Sequence, residues 1–213
     1  MFTCYEMTHG LILASASPRR QELLRGAAIP FEVQATNIPE IPRPGESARD
    51  FTERLARAKA RAVAPHHLDH FILGADTTVV VNGEILNKPE NDEDAKRMLR
   101  LLSGRSHQVI TGVCLIVPQS AFESRELRPE NQELRTAAED VRSESTTATF
   151  AELTGSEIDF YVSTREPMDK AGAYAIQGIA SRWVTRIEGD YSNVVGLPVA
   201  LVYRMLRDHG AVP

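Results

Sequence analysis

One stretch of the chain, Phe71–Pro89, limits the choice of fold more than any other, because a carboxylate interrupts its apolar pattern. Phe71–Leu73 is a short continuous apolar run, which is typical of a strand covered on both faces. Gly74 then reduces side-chain bulk just before Asp76. This pattern predicts a site built into a sheet, with Asp76 at the end of a strand and open to a ligand.

The second half of the stretch predicts a β-hairpin. The β-branched run Val79–Val81 is followed by Asn82-Gly83, which is a strong two-residue turn signal, and then by a short return strand that leads to Lys88. Taken alone, these residues leave an alternative open. Asp76 could simply cap a turn, and Lys88 could be solvated.

Near the start of the chain, an apolar strand over Leu11–Ala14 leads into a predicted helix over Ser17–Gly26. Arg19 and Arg20 fall in the first turn, where the helix dipole favours acids. Two cations are unfavourable at this position, which indicates that they have a function. Serine hydroxyls, free N–H groups and two guanidinium groups would together form an anion-binding site. The alternative is a surface helix with solvated arginines.

Two more charged residues stand in informative contexts. Glu40 lies within the proline-rich segment Thr36–Gly45, which predicts an irregular loop. Lys59 lies on the edge of the apolar stripe of a predicted helix over Ser47–Ala64. It could point inward to an anion, or it could extend its amine to solvent, as lysines at such edges commonly do.

The remaining pattern alternates helices and strands and predicts an α/β protein. The predicted elements are helices over Asp92–Leu102, Thr154–Val162 and Val194–Leu206, and strands over Val109–Val117, Ser145–Ala151 and Trp183–Tyr191. Pro118–Glu144 is highly charged and poor in large apolar residues, which predicts a mobile insertion. In the segment Glu166–Gly178, Gly172 and Gly178 predict close approach of the backbone to a ligand.

Composition excludes several functional classes. The 213 residues carry a net charge of -5, so no global field favours nucleic acid or a membrane surface. No apolar segment approaches the roughly 18 residues of a membrane helix, which predicts a soluble intracellular protein. The two cysteines show no metal-ligand spacing, and the six histidines are interpreted as solvated or loop residues.

The charged residues fall into two chemical sets. Hard oxygen ligands suited to magnesium or manganese are Asp76, Glu40 and Asp169, and cations suited to a polyphosphate are Arg19, Arg20, Lys59 and Lys88. Attack by water on a polyphosphate needs its charge neutralised and a carboxylate to activate the water. No phosphate-binding loop of the Gly-x-x-x-x-Gly-Lys-Ser/Thr type and no Gly-x-Ser-x-Gly motif occurs.

Several segments together resemble the Maf family of nucleotide pyrophosphatases, in order and spacing. They are Leu13–Leu24, Leu73–Thr78, Asn87–Pro89, Leu102–Val109, Asp169–Gly178 and Val195–Pro198. The resemblance implies an elongated mixed β-sheet flanked by helices, in two lobes with a central cleft, similar to inosine triphosphate pyrophosphatases. It implies a single domain over residues 1–213, with 118–144 as the part outside the family pattern.

The implied activity is hydrolysis of a nucleoside triphosphate by water to the monophosphate and pyrophosphate, with Mg²⁺ or Mn²⁺. The motifs look like the branch acting on dTTP, UTP and modified pyrimidine nucleotides. The alternatives are a 7-methyl-GTP pyrophosphatase and a non-catalytic nucleotide-binding regulator of septum formation. The charge balance and the lack of a long apolar segment predict a cytoplasmic protein that binds neither nucleic acid nor membrane, and the resemblance implies a homodimer as one assembly the family adopts.

The resemblance also implies a role for each motif residue. Catalytic roles fall to Asp76, Lys59 and Lys88, substrate binding to Ser15, Arg19, Arg20 and Gln177, and metal binding to Asp76 and Glu40.

Overall fold

A mixed β-sheet of seven strands forms the centre of the computed structural model, which describes residues 9–123 and 138–212. The strands are β1 (Leu11–Leu13), β2 (Glu32–Val33), β3 (Phe71–Val81), β4 (Glu84–Leu86), β5 (Ser106–Ile116), β6 (Glu139–Phe150) and β7 (Val184–Glu188). Their order is β2-β1-β3-β5-β6-β7, with β4 beside β3. Strand β1 runs parallel to β2 and β3, and the other pairs are antiparallel.

Helices cover the sheet, which confirms the predicted α/β class. They are α1 (Pro18–Gly26), α2 (Ala48–Val63), α3 (Asp92–Leu102), α4 (Ser120–Glu123), α5 (Gly155–Ser163), α6 (Tyr191–Val195) and α7 (Val199–Asp208). Short 3₁₀ turns occupy Ala64–His66, Glu166–Asp169, Ala171–Ala173 and Ile179–Arg182. Within the described ranges, no helix combines the length and apolar character needed to cross a bilayer.

The predicted hairpin is confirmed. Asn82 and Gly83 have φ values of +52° and +80°, and Val81 pairs with Glu84 directly across the turn. Both central residues therefore adopt the left-handed conformation that matches the twist of a two-residue hairpin.

Strand β3 differs from the prediction, because Phe71–Val81 is one continuous strand and Asp76 lies in its middle, opposite Gly112 of β5. Gly74 does not end the strand. A Cβ atom at Gly74 would lie 2.2 Å from the carbonyl oxygen of Ala56, and one at Gly112 would lie 2.4 Å from the carbonyl carbon of Thr52. Both glycines therefore allow the backbone of α2 to pack directly on the sheet.

A gap along one edge of β3 replaces the predicted strand end. Strand β5 pairs with one edge of β3 from Ile72 to Val80. On the other edge, β1 pairs with Phe71–Leu73 and β4 pairs with Val79–Val81. No described strand pairs with Gly74–Thr78 at that edge, so Asp76 lies beside an unpaired edge although it is in the middle of a strand.

The core shows the two predicted lobes. On one face of β3 and β5, one apolar cluster contains Leu73 with residues of α1 and α7, and a second contains Val79 with residues of α3 and α5. Thr77 and Thr111, whose hydroxyl oxygens are 2.9 Å apart, lie between them on the same face. Helix α2 covers the opposite face, where Ile72 belongs to a third cluster.

The predicted C-terminal boundary of the mobile insertion, Glu144, is wrong. Residues 139–144 belong to β6 and pair with β5. Polar contacts hold this part of the strand. Arg61 donates two hydrogen bonds to Glu139, and Arg142 contacts Asp208 at 2.9 Å. The apolar alternation that identifies strands in a sequence is therefore missing here. Residues 124–137 lie outside the described part of the chain, and their interpretation as an insertion stays a prediction.

Candidate active site

A cavity of about 510 Å³ opens at the unpaired edge of β3. All eight predicted site residues line it, namely Ser15, Arg19, Arg20, Glu40, Lys59, Asp76, Lys88 and Gln177. Asp169, the third acid of the sequence-based set, lines it as well. The fold therefore brings together residues that are up to 162 positions apart between Ser15 and Gln177.

Asp76 and Lys59 form a buried ion pair at the centre of this cavity. The Nζ atom of Lys59 lies 2.6 Å from Oδ1 of Asp76, and the two residues are 6% and 5% exposed. Lys59 points inward from α2 to the sheet, so the alternative of a solvated amine is wrong. Burial raises the pKa of Asp76, although the charges of Lys59 and Arg20 act in the opposite direction.

Glu40 extends the ion pair into a chain of alternating charges. Its Oε1 atom accepts a hydrogen bond of 2.7 Å from Lys59, and its Oε2 atom accepts one of 2.7 Å from Lys88. Lys88 is paired although its side chain is 55% exposed. Burial acts to raise the pKa of Glu40, but the two lysines outweigh it and bring the pKa to about 2. Glu40 is therefore ionised at neutral pH.

The guanidinium group of Arg20 forms its hydrogen bonds with other residues of the protein. Its guanidinium group donates hydrogen bonds of 2.7 Å to the carbonyl oxygen of Gly196, 3.2 Å to Ser15 and 3.0 Å to Thr77. The side chain is buried, so the alternative of a solvated arginine is wrong at this position. These contacts connect α1, β3 and the turn before α7 around the cavity wall.

Arg19 faces the cleft from the first turn of α1. Its Nη1 atom lies 3.7 Å from Oδ2 of Asp169, so this ion pair crosses from one lobe to the other. The first turn of α1 contains no acid, and the side chain of Ser17 makes no capping hydrogen bond. The helix terminus therefore keeps N–H groups and positive charge that favour an anionic ligand.

The two glycines of the segment Glu166–Gly178 contact protein atoms, which corrects their predicted approach to a ligand. A Cβ atom at Gly172, where φ is +68°, would lie 2.9 Å from Val79. A Cβ atom at Gly178 would lie 2.1 Å from Oε1 of Glu166. These close contacts fold the segment against the second lobe and leave Gln177 exposed at the cavity.

The predicted site residues leave out other lining residues, among them Thr77, Lys170 and Tyr174. Thr77 could have been found, because it follows Asp76 directly in the sequence. Its side chain points to the opposite face of β3. Lys170 lines the cavity and donates a 2.7 Å hydrogen bond to the carbonyl oxygen of Glu166. Tyr174 also lines the cavity. Its hydroxyl group forms a hydrogen bond with a residue 67 positions away, and no local sequence pattern indicates such a contact.

That bond corrects the interpretation of one histidine. The hydroxyl group of Tyr174 lies 2.8 Å from Nε2 of His107, and both residues are buried. Burial lowers the pKa of His107 to about 4, so this histidine is neutral at physiological pH. His107 is therefore a core residue behind the cavity wall and not a solvated one.

The donor set fits a hard divalent cation bound together with a ligand. Over the two described ranges, no group of three or more His, Cys, Asp or Glu residues could hold a metal by itself. Asp76 and Glu40 supply two carboxylates on the same cavity, and both contact Lys59. Mg²⁺ is commonly held by one or two carboxylates, with phosphate oxygens and water completing the shell.

Comparison with known proteins agrees with these features. The family model described as "Maf-like protein" matches residues 10–209. A dTTP/UTP pyrophosphatase of Koribacter versatilis is 50% identical, over 98% of each chain. A dTTP/UTP pyrophosphatase of Symbiobacterium thermophilum is 48% identical over 94% of each chain, and one of Bacillus cereus (strain B4264) is 45% identical over 92% of this chain and 94% of its own.

Among solved structures, the Ham1 protein of Staphylococcus aureus has a TM-score of 0.49 and 15% identity, and the match covers 93% of this chain and 98% of that one. A HAM1 protein from Coxiella burnetii has a TM-score of 0.42 and 17% identity, with 78% and 86% covered. The family model spans nearly the whole chain, and the relatives are similar along their full lengths. The chain therefore belongs to the Maf family.

Proposed function

We propose that this protein hydrolyses nucleoside triphosphates to the monophosphate and pyrophosphate, with dTTP and UTP as its substrates. The observation that carries the proposal is the buried Asp76–Lys59 pair, which lies at the floor of a cavity lined by further cations. The names of the relatives, which are similar along nearly the whole chain, support the choice of substrates.

In the proposed reaction, Asp76 accepts a proton from the water that attacks the α-phosphorus. A new bond forms between the water oxygen and phosphorus, and the bond to the bridging oxygen of pyrophosphate breaks. The raised pKa of Asp76 suits this role, because a general base works best when its pKa approaches the working pH. Lys59 holds the carboxylate in place and stabilises the charge on the reacting phosphate.

The phosphate chain binds along the cations of the cavity. Arg19 and the N-terminus of α1 face the cleft on one side, and Lys88 faces it on the other. Ser15 adds a hydroxyl group, and Arg20 holds Ser15 and Thr77 in position. We therefore assign Arg20 a positioning role in the binding of phosphate, in addition to its positive charge.

A divalent cation, Mg²⁺ or Mn²⁺, would be held by Asp76 and Glu40. When bound, it neutralises negative charge on the phosphate oxygens. The base would lie against the segment that carries Gln177, whose exposed amide can both donate and accept hydrogen bonds. With this function we expect the protein to act in the cytoplasm, where the nucleotide pool lies, and a homodimer stays a prediction.

The test is a substrate panel with purified protein and Mg²⁺ or Mn²⁺. We expect release of pyrophosphate from dTTP and UTP, slower release from 7-methyl-GTP, and ¹⁸O from labelled water in the monophosphate. Faster turnover of 7-methyl-GTP would contradict the substrate assignment. Saturable nucleotide binding with intact triphosphate would contradict the enzyme itself and favour a binding regulator.

A further inference from the structure

The loop that carries Glu40 has little apolar anchoring. No residue from Phe31 to Asp50 is buried, and Ile41, next to Glu40, is 71% exposed. The segment Thr36–Gly45 forms neither helix nor strand. Its position therefore depends on polar contacts, and these fall into two groups.

The first group consists of the two hydrogen bonds from Lys59 and Lys88 to Glu40. They lie inside the cavity. Binding of a triphosphate and a cation redistributes these contacts, because phosphate oxygens attract both lysines and the cation attracts the carboxylate. This group cannot hold the loop equally well throughout a reaction cycle.

The second group lies outside the cavity and is formed by Arg54 and Glu46. Arg54 donates hydrogen bonds of 2.6 Å and 2.7 Å to the two carboxylate oxygens of Glu46, and one of 3.1 Å to the carbonyl oxygen of Ile41. Glu46 also accepts a 3.0 Å hydrogen bond from the backbone N–H of Arg43. The side chain of Glu46 is only 8% exposed.

Helix α2 makes Arg54 a rigid support. Arg54 packs over the ring of the buried Phe51, with 5.5 Å from its guanidinium carbon to the ring centroid. Lys59 lies five residues further along the same helix, which is about 7.5 Å along its axis. The backbone of α2 packs directly on Gly74 and Gly112. One rigid helix therefore contacts the loop both inside and outside the cavity.

We propose that Arg54 and Glu46 form a clamp that positions Glu40 for the reaction. Neither residue is among the described residues that line the cavity, and both contact the loop backbone, Arg54 at Ile41 and Glu46 at Arg43. The effect on catalysis rests on the proposed function, whereas the effect on the loop does not.

The test compares Arg54→Met, Arg54→Lys and Glu46→Gln with Arg61→Met. Arg61 is a matched control, because it lies on the same helix and forms a similar two-bond pair with Glu139, away from the cavity. We expect amide hydrogen exchange over residues 38–46 to become about tenfold faster in Arg54→Met and Glu46→Gln, and to stay unchanged in Arg61→Met. The exchange rate in Arg54→Lys should lie between these values, since lysine keeps the positive charge but cannot form the two parallel hydrogen bonds of a guanidinium group.

Two functional readouts distinguish positioning from general stability. In Arg54→Met, kcat should fall about tenfold, while KM for dTTP changes less than about twofold, because small misplacement of a site residue slows the reaction more than it weakens binding. In a Glu40→Gln background, Arg54→Met should lower kcat no further, because the residue it positions has been altered.

Unchanged exchange over residues 38–46 in both Arg54→Met and Glu46→Gln would overturn the clamp. Equal losses of kcat in the unaltered and Glu40→Gln backgrounds would overturn its action through Glu40. If the unaltered protein releases no pyrophosphate, the proposed function fails, and the exchange experiment still decides whether the clamp exists.

Discussion

Asp76 and Glu40 contact the same lysine but are held in place in different ways. Asp76 belongs to the middle of β3, where pairing with β5 and direct packing of α2 fix the backbone. Glu40 belongs to a loop without a buried residue, and polar contacts of its own side chain and of the loop backbone hold it. Changes at Asp76 should therefore alter chemistry with little change in geometry, whereas changes at or near Glu40 should alter geometry as well.

The largest effect is expected from Asp76→Asn, which removes the proposed base and keeps the shape of the side chain. We expect kcat to fall about 1,000-fold, within the range for loss of a general base. The melting temperature should change less than in Lys59→Met, because Lys59 keeps its hydrogen bond to Glu40. Pyrophosphate release and a thermal melt are the measurements, and full activity in this variant would remove Asp76 from the mechanism.

Lys59→Met removes the cation that the two carboxylates share. We expect the free energy of unfolding to fall by about 3 kcal/mol at neutral pH, because Asp76 is left buried without its partner. In this variant the pKa of Asp76 rises further above its ordinary value, so the protonated acid is favoured in the folded state. The loss should therefore shrink as the pH is lowered, which urea unfolding at two pH values would measure. An equal loss at both would contradict the predicted coupling.

Glu40→Gln tests the loop side of the comparison. We expect kcat to fall about tenfold, which corresponds to about 1.4 kcal/mol. Amide exchange should increase over residues 38–46 and stay unchanged over β3, because only the loop depends on the altered side chain. Faster exchange in both segments would show that the strand and the loop are not fixed independently.

The smallest effect is the pH dependence that Glu40 contributes. Its pKa is lowered from 4.5 to about 2 in the folded protein. The ionised form is therefore favoured by folding, so its stabilisation is present above pH 4.5 and is lost as the pH falls through about 2. Thermal melts over this interval should decline less steeply in Glu40→Gln than in the unaltered protein, and identical slopes would contradict the assignment.

The sequence identifies residues that the fold brings to one cavity, because the helix, strand and turn signals of the elements around them are local. The hairpin after Val81 and the helix that carries Lys59 belong to this class. The inward direction of Lys59 could not be decided, since it depends on an acid seventeen residues away in another element. The contacts of Arg20 with Gly196 span 176 positions and leave no local pattern.

The unpaired edge of β3 has a further consequence for ligand binding. Leu73 accepts a hydrogen bond from Ala14 of the β1 side, so its backbone groups point to that edge. Alternation along the strand directs the N–H and C=O groups of Ala75 and Thr77 to the same edge, where no described strand pairs with them. Of these two residues, Thr77 lines the cavity, whereas Ala75 is fully buried. The wall of the cleft thus offers main-chain groups of Thr77 that no side-chain substitution removes, so every variant considered above keeps this point of contact for a ligand.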